Sequence, residues 1–173
     1  MSKQIIYSGF LRTWDQVKEN QYANIVDEGD RLMFYEMGEQ MLTHKDYSSN
    51  KAGETSVINT LNQWRNRKLA FDQMATGEMI VISRSDLMFT GKIDFSIVTP
   101  NIVYIPEGQD YGGFNDQFAF GDYSAMQWYT RLYDFIDEYW EAGCKFHPET
   151  LLAYHLRNTM VIRVPQQTQI IRL

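Results

Sequence analysis

The chain has 173 residues, of which 44% are apolar and 14% aromatic, and its formal net charge is −6. This length suits one continuous domain over residues 1–173 with a buried core, and the abundance of rings excludes a disordered chain. The negative net charge argues against a general binder of nucleic acid or of anionic membranes, because such partners select clustered Lys and Arg.

The cysteine count and the apolar pattern indicate the compartment. Cys144 is the single cysteine, so no internal disulfide can form, and the start of the chain lacks the charged-then-apolar pattern of a signal peptide. Uninterrupted apolar stretches are far shorter than the roughly 20 residues that cross a bilayer. We therefore expect a cytoplasmic protein with no integral membrane segment.

Hydrophobic periodicity predicts alternating strands and helices. In chain order, the predicted elements are a strand at 5–7, a helix at 14–25, a strand at 31–35, a long helix from 55 to 74, strands at 79–82, 102–105 and 118–120, helices at 124–140 and 148–157, and a strand at 160–164. The polar segment 36–54 is interpreted as a loop with a short helix. Alternation of this kind with buried strands predicts a three-layer α/β domain.

The apolar run Met79–Ile82 is the best candidate for the centre of the sheet, because a strand covered on both faces has a continuous apolar sequence. In such a domain, ligands bind where loops leave the carboxyl ends of the strands. The candidate loops are therefore those at 9–13, 83–86 and 111–122. All three contain polar residues that a core does not select.

Arg84-Ser85-Asp86 directly follows the central strand. A cation and an anion at the end of so apolar a strand cost desolvation energy unless each has a partner or a ligand. Asp86 offers carboxylate oxygen, the hard donor that Mg²⁺ and Mn²⁺ prefer, and is a candidate metal ligand. The alternative is an Arg/Asp pair that caps the strand.

The third candidate loop combines glycines, acids and rings. Gly112 and Gly113 let the backbone approach a ligand closely, and Asn115 supplies an amide beside the carboxylate of Asp116. With Tyr111, this loop can hold an acceptor hydroxyl while Asp116, as a catalytic base, removes its proton. The alternative is a glycine-rich turn in which Asp116 is a cap.

Several cations are candidates for contact with a diphosphate. Arg12 is favoured because it lies at a strand end, while Lys68 and Arg65 lie on a helix whose cations, taken singly, usually form a solvated face. His147 can complete a metal site or contact phosphate. Glu149 follows two residues later, and the favourable interaction of an acid with the positive end of a helix dipole explains its presence without any function.

Five segments of the chain follow the pattern of one protein family. They are Ser8-Gly9-Phe10-Leu11-Arg12-Thr13, the helix from Trp64 to Met74, Ile82-Ser83-Arg84-Ser85-Asp86, the stretch from Tyr111 to Gly121, and His147-Pro148-Glu149 with Leu151-Leu152. In this order they resemble a group of small GT-A-fold glycosyltransferases found in large DNA viruses, phages and bacterial surface-glycan loci. The stretch from Tyr111 to Gly121 is the most specific of the five.

The resemblance implies a three-layer α/β/α, GT-A-like (Rossmann-like) fold with a mixed central sheet, in the host cytoplasm if the protein is viral. It also implies a nucleotide-sugar donor, usually UDP-linked, whose diphosphate is bridged by Mn²⁺ or Mg²⁺, and a glycan acceptor. The expected donor-binding residues are Gly9, Arg12, Thr13, Lys68, Arg84 and Asp86. The expected acceptor-binding residues are Tyr111, Gly112, Gly113 and Asn115, and the expected metal ligands are Asp86 and His147.

One position departs from the family's pattern. Asp86 matches the last acid of an Asp-x-Asp-like motif, but Arg84 replaces the first acid. Either one carboxylate with phosphates and waters suffices for the metal, or Arg84 takes over part of the charge neutralisation. With Asp116 opposite the leaving group, direct displacement would invert the anomeric configuration.

Two other functions remain open at this point. A non-catalytic carbohydrate-binding module also uses exposed Tyr and Trp rings, and it would bind glycan without nucleotide or metal. A nucleotidyltransferase acting on sugar phosphates shares the sheet and the metal, but it normally needs a glycine-rich basic loop after the first strand. The segment Gly9–Arg12 matches such a loop poorly.

Overall fold

A computed structural model describes residues 3–9, 30–36, 57–76, 79–165 and 167–171, together with the single residues 19, 24 and 28. The described elements are β1 Lys3–Gly9, β2 Arg31–Glu36, α1 Val57–Phe71, β3 Met79–Arg84, β4 Leu87–Phe89, β5 Ile102–Pro106, β6 Phe118–Gly121, α2 Tyr123–Thr130, α3 Leu132–Glu141, α4 Pro148–His155, β7 Met160–Val164 and β8 Thr168–Ile170. The predicted helix at 14–25 and the segment 36–54 lie largely outside the described residues.

Six strands form the central sheet, in the order β2-β1-β3-β6-β5-β7. β1 runs parallel to both β2 and β3, and β5 runs parallel to β7. Within this sheet only β6 is antiparallel to its neighbours, which are β3 and β5. The mixed central sheet is therefore confirmed, and β3 lies inside it as the apolar run predicted.

The sheet separates two buried clusters because successive side chains of a strand point to opposite faces. One face, with Ile6 and Ile82, packs against the four described helices through residues such as Trp64 and Leu152. The other face packs against Phe89 and Phe95, in β4 and the segment that follows it. β4 pairs antiparallel with β8 as a separate two-stranded sheet. The domain thus has three layers, with the central sheet in the middle.

The structure differs from the predicted elements in two places. The helix expected at 124–140 is divided at Arg131 into α2 and α3. The hydroxyl of Thr130 donates to the carbonyls of Met126 and Gln127, both at 3.1 Å. Such hydrogen bonds from a side chain to the preceding turn compete with the backbone hydrogen bonds of the helix. The strands β4 and β8 were not predicted because three residues each are too few for a periodic pattern.

His155 joins three of the helices at the core. Its Nε2 lies 2.7 Å from the Trp128 carbonyl and its Nδ1 lies 2.8 Å from the Tyr139 hydroxyl. Nε2 therefore donates to the carbonyl and Nδ1 accepts from the hydroxyl, which fixes a neutral tautomer. Burial lowers the pKa of His155 to about 4, despite the hydrogen bond to Trp128, which acts in the opposite direction.

In the described part of the chain, no helix is long and apolar enough to cross a membrane.

We predict that stability falls as the pH drops from 6.5 to 4, because in this range the unfolded chain binds a proton at His155 and the folded chain does not. The whole depression of the pKa corresponds to roughly 3 kcal/mol. Urea unfolding of wild type and His155→Gln at pH 7 and pH 4 measures the effect, and the variant should lose less stability on acidification. An equal loss in both proteins would contradict the assignment.

Candidate functional site at the carboxyl edge of the sheet

The carboxyl ends of the parallel strands lie at one edge of the sheet. Gly9 pairs with Glu36 at the end of β1, and Ser8 pairs with Arg84 at the end of β3. β6 runs the other way, so the loop before it reaches the same edge, where the Arg84 amide donates to the Gln117 carbonyl at 3.1 Å. The second and third candidate loops of the sequence therefore meet. Arg12 and Thr13 lie outside the described residues.

Arg84 and Asp86 form a bidentate ion pair. Nε donates to Oδ1 at 2.8 Å and NH2 donates to Oδ2 at 2.6 Å, and both side chains keep some exposure. Burial alone would lower the pKa of Arg84, but the hydrogen bond and charge of Asp86, with the charges of Asp116 and Glu149, raise it overall. The guanidinium is thus a permanent cation with three acids around it.

Asp116 is almost fully buried and is held by helix α1. Gln63 donates from Nε2 to Oδ2 of Asp116, and Arg67 donates from NH2 to the Asp116 carbonyl at 2.6 Å. The NH1 of Arg67 lies 3.9 Å from the same Oδ2. Arg67 is itself fully buried, with its guanidinium 4.6 Å from the ring centroid of Trp64.

Arg67 is a site residue that the sequence analysis missed, since it singled out its neighbours Lys68 and Arg65. Lys68 lies 3.6 Å from Asp72 and 3.5 Å from Asp134 of α3. One residue along a helix turns the side chain by about 100°, so α1 presents Arg67 to Asp116 and Lys68 to α3. The available signal was the spacing of Trp64 and Arg67, which places both on one face.

The loop between β5 and β6 has an unusual backbone. Gln109 and Tyr111 have φ values of 52° and 41°, in the left-handed region that bulky residues rarely adopt. Asn115 maintains this shape: its Nδ2 donates to the Gly108 carbonyl at 3.0 Å, and its Oδ1 accepts from the Gln117 amide at 2.9 Å. Asn115 is fully buried, whereas the Tyr111 side chain is 67% exposed. Asn115 thus shapes the loop, and Tyr111 is its accessible ring.

Gly113 packs the loop against the start of α4. A Cβ at this position would lie 1.9 Å from the Glu149 carbonyl oxygen, so no other residue fits without a shift of the backbone. The adjacent Phe114 amide donates to the same oxygen at 3.0 Å. The requirement for glycine is therefore explained by loop packing, and this packing brings His147 and Glu149 to the site.

Glu149 is the second site residue that the sequence analysis missed. Its Oε2 lies 2.8 Å from Nδ1 of His147, but both atoms are shielded from solvent and neither has a hydrogen bond of acceptable geometry. Burial, followed by the charge of Asp116, raises the pKa of Glu149 to about 7, against the opposing effects of a hydrogen bond to its own backbone and of the charges of Arg67 and Arg84. Burial also lowers the pKa of His147. A carboxyl that titrates near neutral pH is typical of functional sites.

The expected metal ligands, Asp86 and His147, do not belong to a larger group of possible ligands in the described part of the chain. No group of three or more His, Cys, Asp and Glu side chains there could hold an ion. Both oxygens of Asp86 already bind Arg84. Asp86 therefore already has a cation as its partner, and the expected Mn²⁺ or Mg²⁺ stays a prediction.

The fold is similar to the crystal structure of a glycosyltransferase involved in the glycosylation of the major capsid of PBCV-1, a large DNA virus. The TM-score is 0.62 at 17% sequence identity, and the alignment covers 95% of this chain and 83% of that one. No family model matches the chain, and no curated protein matches it either. The predicted α/β fold with a mixed sheet is confirmed, and it is consistent with a GT-A-like fold.

We predict that Glu149→Gln stabilises the protein at neutral and alkaline pH. The folded pKa is raised, so Glu149 costs stability as the pH rises from 4.5 to about 7, whereas Gln stays neutral. The advantage of the variant over wild type should grow by up to roughly 3 kcal/mol between pH 4.5 and pH 8. Chemical denaturation at both pH values measures it, with Glu138→Gln on exposed α3 surface as the control. Equal shifts in both variants would contradict the account.

Proposed function

We propose that this chain is a glycosyltransferase that moves a sugar from a nucleotide-sugar donor, with UDP as the expected nucleotide, to a hydroxyl of a glycan acceptor. The observation that carries the proposal is that backbone hydrogen bonds bring the parts of the chain with Arg84, Asp116 and Glu149 together at the carboxyl edge of the sheet. This edge is where α/β sheets bind ligands, and the fold is shared with a known glycosyltransferase. Cations for a diphosphate and carboxylates for a proton are the groups that the reaction needs.

The donor half of the reaction requires positive charge. As the bond between sugar and diphosphate breaks, negative charge grows on the leaving group, so a cation placed there stabilises the transition state more than the ground state. One such contact at about 4 Å contributes on the order of 4 kcal/mol at an effective dielectric near 20. Arg84 is a cation at this edge, with part of its side chain exposed. Gly9, Arg12 and Thr13 are proposed to complete the donor site.

The acceptor half requires a base, and we assign this role to Asp116. The described contacts from Gln63 and Arg67 fall on its Oδ2 and its carbonyl, so we assign proton transfer to Oδ1. The acceptor hydroxyl gives its proton to Asp116, and its oxygen forms a bond with the anomeric carbon. The bond from that carbon to the phosphate oxygen breaks, and its electron pair leaves with the diphosphate. Attack from the opposite face inverts the anomeric configuration.

Tyr111 is the proposed contact for the acceptor sugar. Its exposed ring stands on the loop that also carries Asp116, and sugar rings pack against aromatic faces. Gly112 and Gly113 hold the loop close to α4. A carbohydrate-binding module would also use Tyr111. The similarity of the fold to that of a glycosyltransferase favours the enzyme.

The test is a transfer assay with a panel of UDP-sugars and methyl glycosides, with products identified by mass spectrometry. Wild type should release UDP and form a disaccharide product. Asp116→Asn should lower transfer by about 10²- to 10⁴-fold, which is the usual contribution of a general base, while slow hydrolysis of the donor persists.

The matched control is Asp94→Asn, which changes an exposed acid on a loop that follows β4. It should transfer sugar as wild type does. Unaffected transfer in Asp116→Asn would reject the assignment of the base. Glycan binding with no turnover and no affinity for any UDP-sugar would instead identify a carbohydrate-binding module.

A further inference from the structure

Arg163 connects β7, the last strand of the central sheet, to the loop between β5 and β6. Its NH2 group donates to the carbonyl of Pro106, where β5 ends, and to Oδ1 of Asp110 at 2.6 Å. The central carbon of its guanidinium lies 5.4 Å from the ring centroid of Phe114. One side chain of β7 therefore contacts this part of the chain at three points.

Asp110 connects Arg163 to the backbone of the loop. Its Oδ1, which accepts from Arg163, also accepts from the Asn115 amide at 3.0 Å. Its carbonyl accepts from the Gly113 amide at 2.7 Å, which closes a turn over residues 110–113. Tyr111 lies inside this turn. The ion pair between Arg163 and Asp110 therefore holds the turn that carries the exposed ring.

The turn depends on such contacts because its backbone is strained. Gln109 and Tyr111 have φ values of 52° and 41°, and a residue with a side chain persists in this region only where the surrounding structure holds it there. Strained residues of this kind are concentrated at sites that bind ligands. The Tyr111 side chain is also 67% exposed, so a ligand can reach its ring. Strain and exposure together indicate that the position of Tyr111 serves binding.

The other end of the loop is held by different contacts. Asp116 accepts hydrogen bonds from two side chains of α1, and the Gln117 carbonyl accepts from the amide of Arg84. None of these contacts involves Arg163 or Asp110. Loss of the ion pair is therefore expected to release the turn over residues 110–113 and to leave the assigned base in place.

We infer that the ion pair between Arg163 and Asp110 sets the affinity for the acceptor sugar, because it holds Tyr111 in the conformation that contacts this sugar. The inference rests on the proposed function, since it presupposes a sugar acceptor. Tyr111 supplies the contact, and a ring that is fixed before binding loses less conformational entropy when the sugar binds. Arg163 and Asp110 are positioning residues that act through the turn.

The experiment is a steady-state transfer assay of the full chain in which the concentration of a methyl glycoside acceptor is varied at saturating UDP-sugar. Arg163→Met and Asp110→Ala should each raise the acceptor KM by about tenfold and leave kcat within about twofold of wild type, which is the signature of lost binding without lost chemistry. Hydrolysis of the donor without acceptor should be unchanged. The double variant should have the same acceptor KM as either single variant, because both substitutions remove one interaction.

Arg131→Met is the matched control, because it breaks an exposed ion pair with Asp134 at the division between α2 and α3. Its acceptor KM should equal that of wild type. Thermal unfolding should differ little among the variants, because a partly exposed ion pair contributes little to stability. An unchanged acceptor KM in Arg163→Met and Asp110→Ala, or a loss of kcat with no change in KM, would overturn the inference and leave the proposed function intact.

A wild type that transfers no sugar from any donor would refute the proposed function, and the inference is then tested by calorimetric titration with the methyl glycosides alone. Weaker binding to Arg163→Met and Asp110→Ala than to wild type and Arg131→Met would support the role of the ion pair in sugar binding. Equal binding to all four proteins, or no binding to wild type, would overturn it.

Discussion

The contact between the buried guanidinium of Arg67 and Asp116, two residues before β6, is the constraint on which the site depends. Arg67 donates to the carbonyl of Asp116 and lies near its carboxylate, while its other face packs on Trp64. Burying a guanidinium costs several kcal/mol unless its partners are well placed. Asp116 and the ring of Trp64 offset part of this cost, although Nε and NH1 of Arg67 are buried without a hydrogen-bond partner. The helical layer and the site loop are thereby fixed to each other.

The other residues of the site are connected to Asp116 through the loop between β5 and β6. The loop that ends at Asp116 is shaped by Asn115, and it packs through Gly113 on the first turn of α4. That turn presents Glu149, whose pKa is raised by burial and by the charge of Asp116. The carbonyl of Gln117, one residue after Asp116, accepts from the amide of Arg84. Three separate parts of the chain therefore contribute charges to one edge of the sheet.

The fold could be predicted from the sequence because buried strands and amphipathic helices have distinct apolar patterns. The pattern located β3 inside the sheet and placed Arg84 and Asp116 on two of the three loops expected at the carboxyl ends of the strands. It could not distinguish Arg67 from Lys68, because both are cations on one helix and only packing shows which of them is buried. Glu149 was hidden for a related reason: an acid in the first turn of a helix has an ordinary explanation in the helix dipole. The bidentate ion pair between Arg84 and Asp86 depends on the directions of the two side chains, which the spacing of residues in the sequence does not determine.

A crystal structure of the chain with UDP is the most direct test of the claim that the carboxyl edge is a donor site. The account predicts the diphosphate at this edge, with its oxygens about 3 Å from the guanidinium of Arg84. UDP bound on another surface, or a diphosphate at the edge that makes no contact with Arg84, would contradict the account.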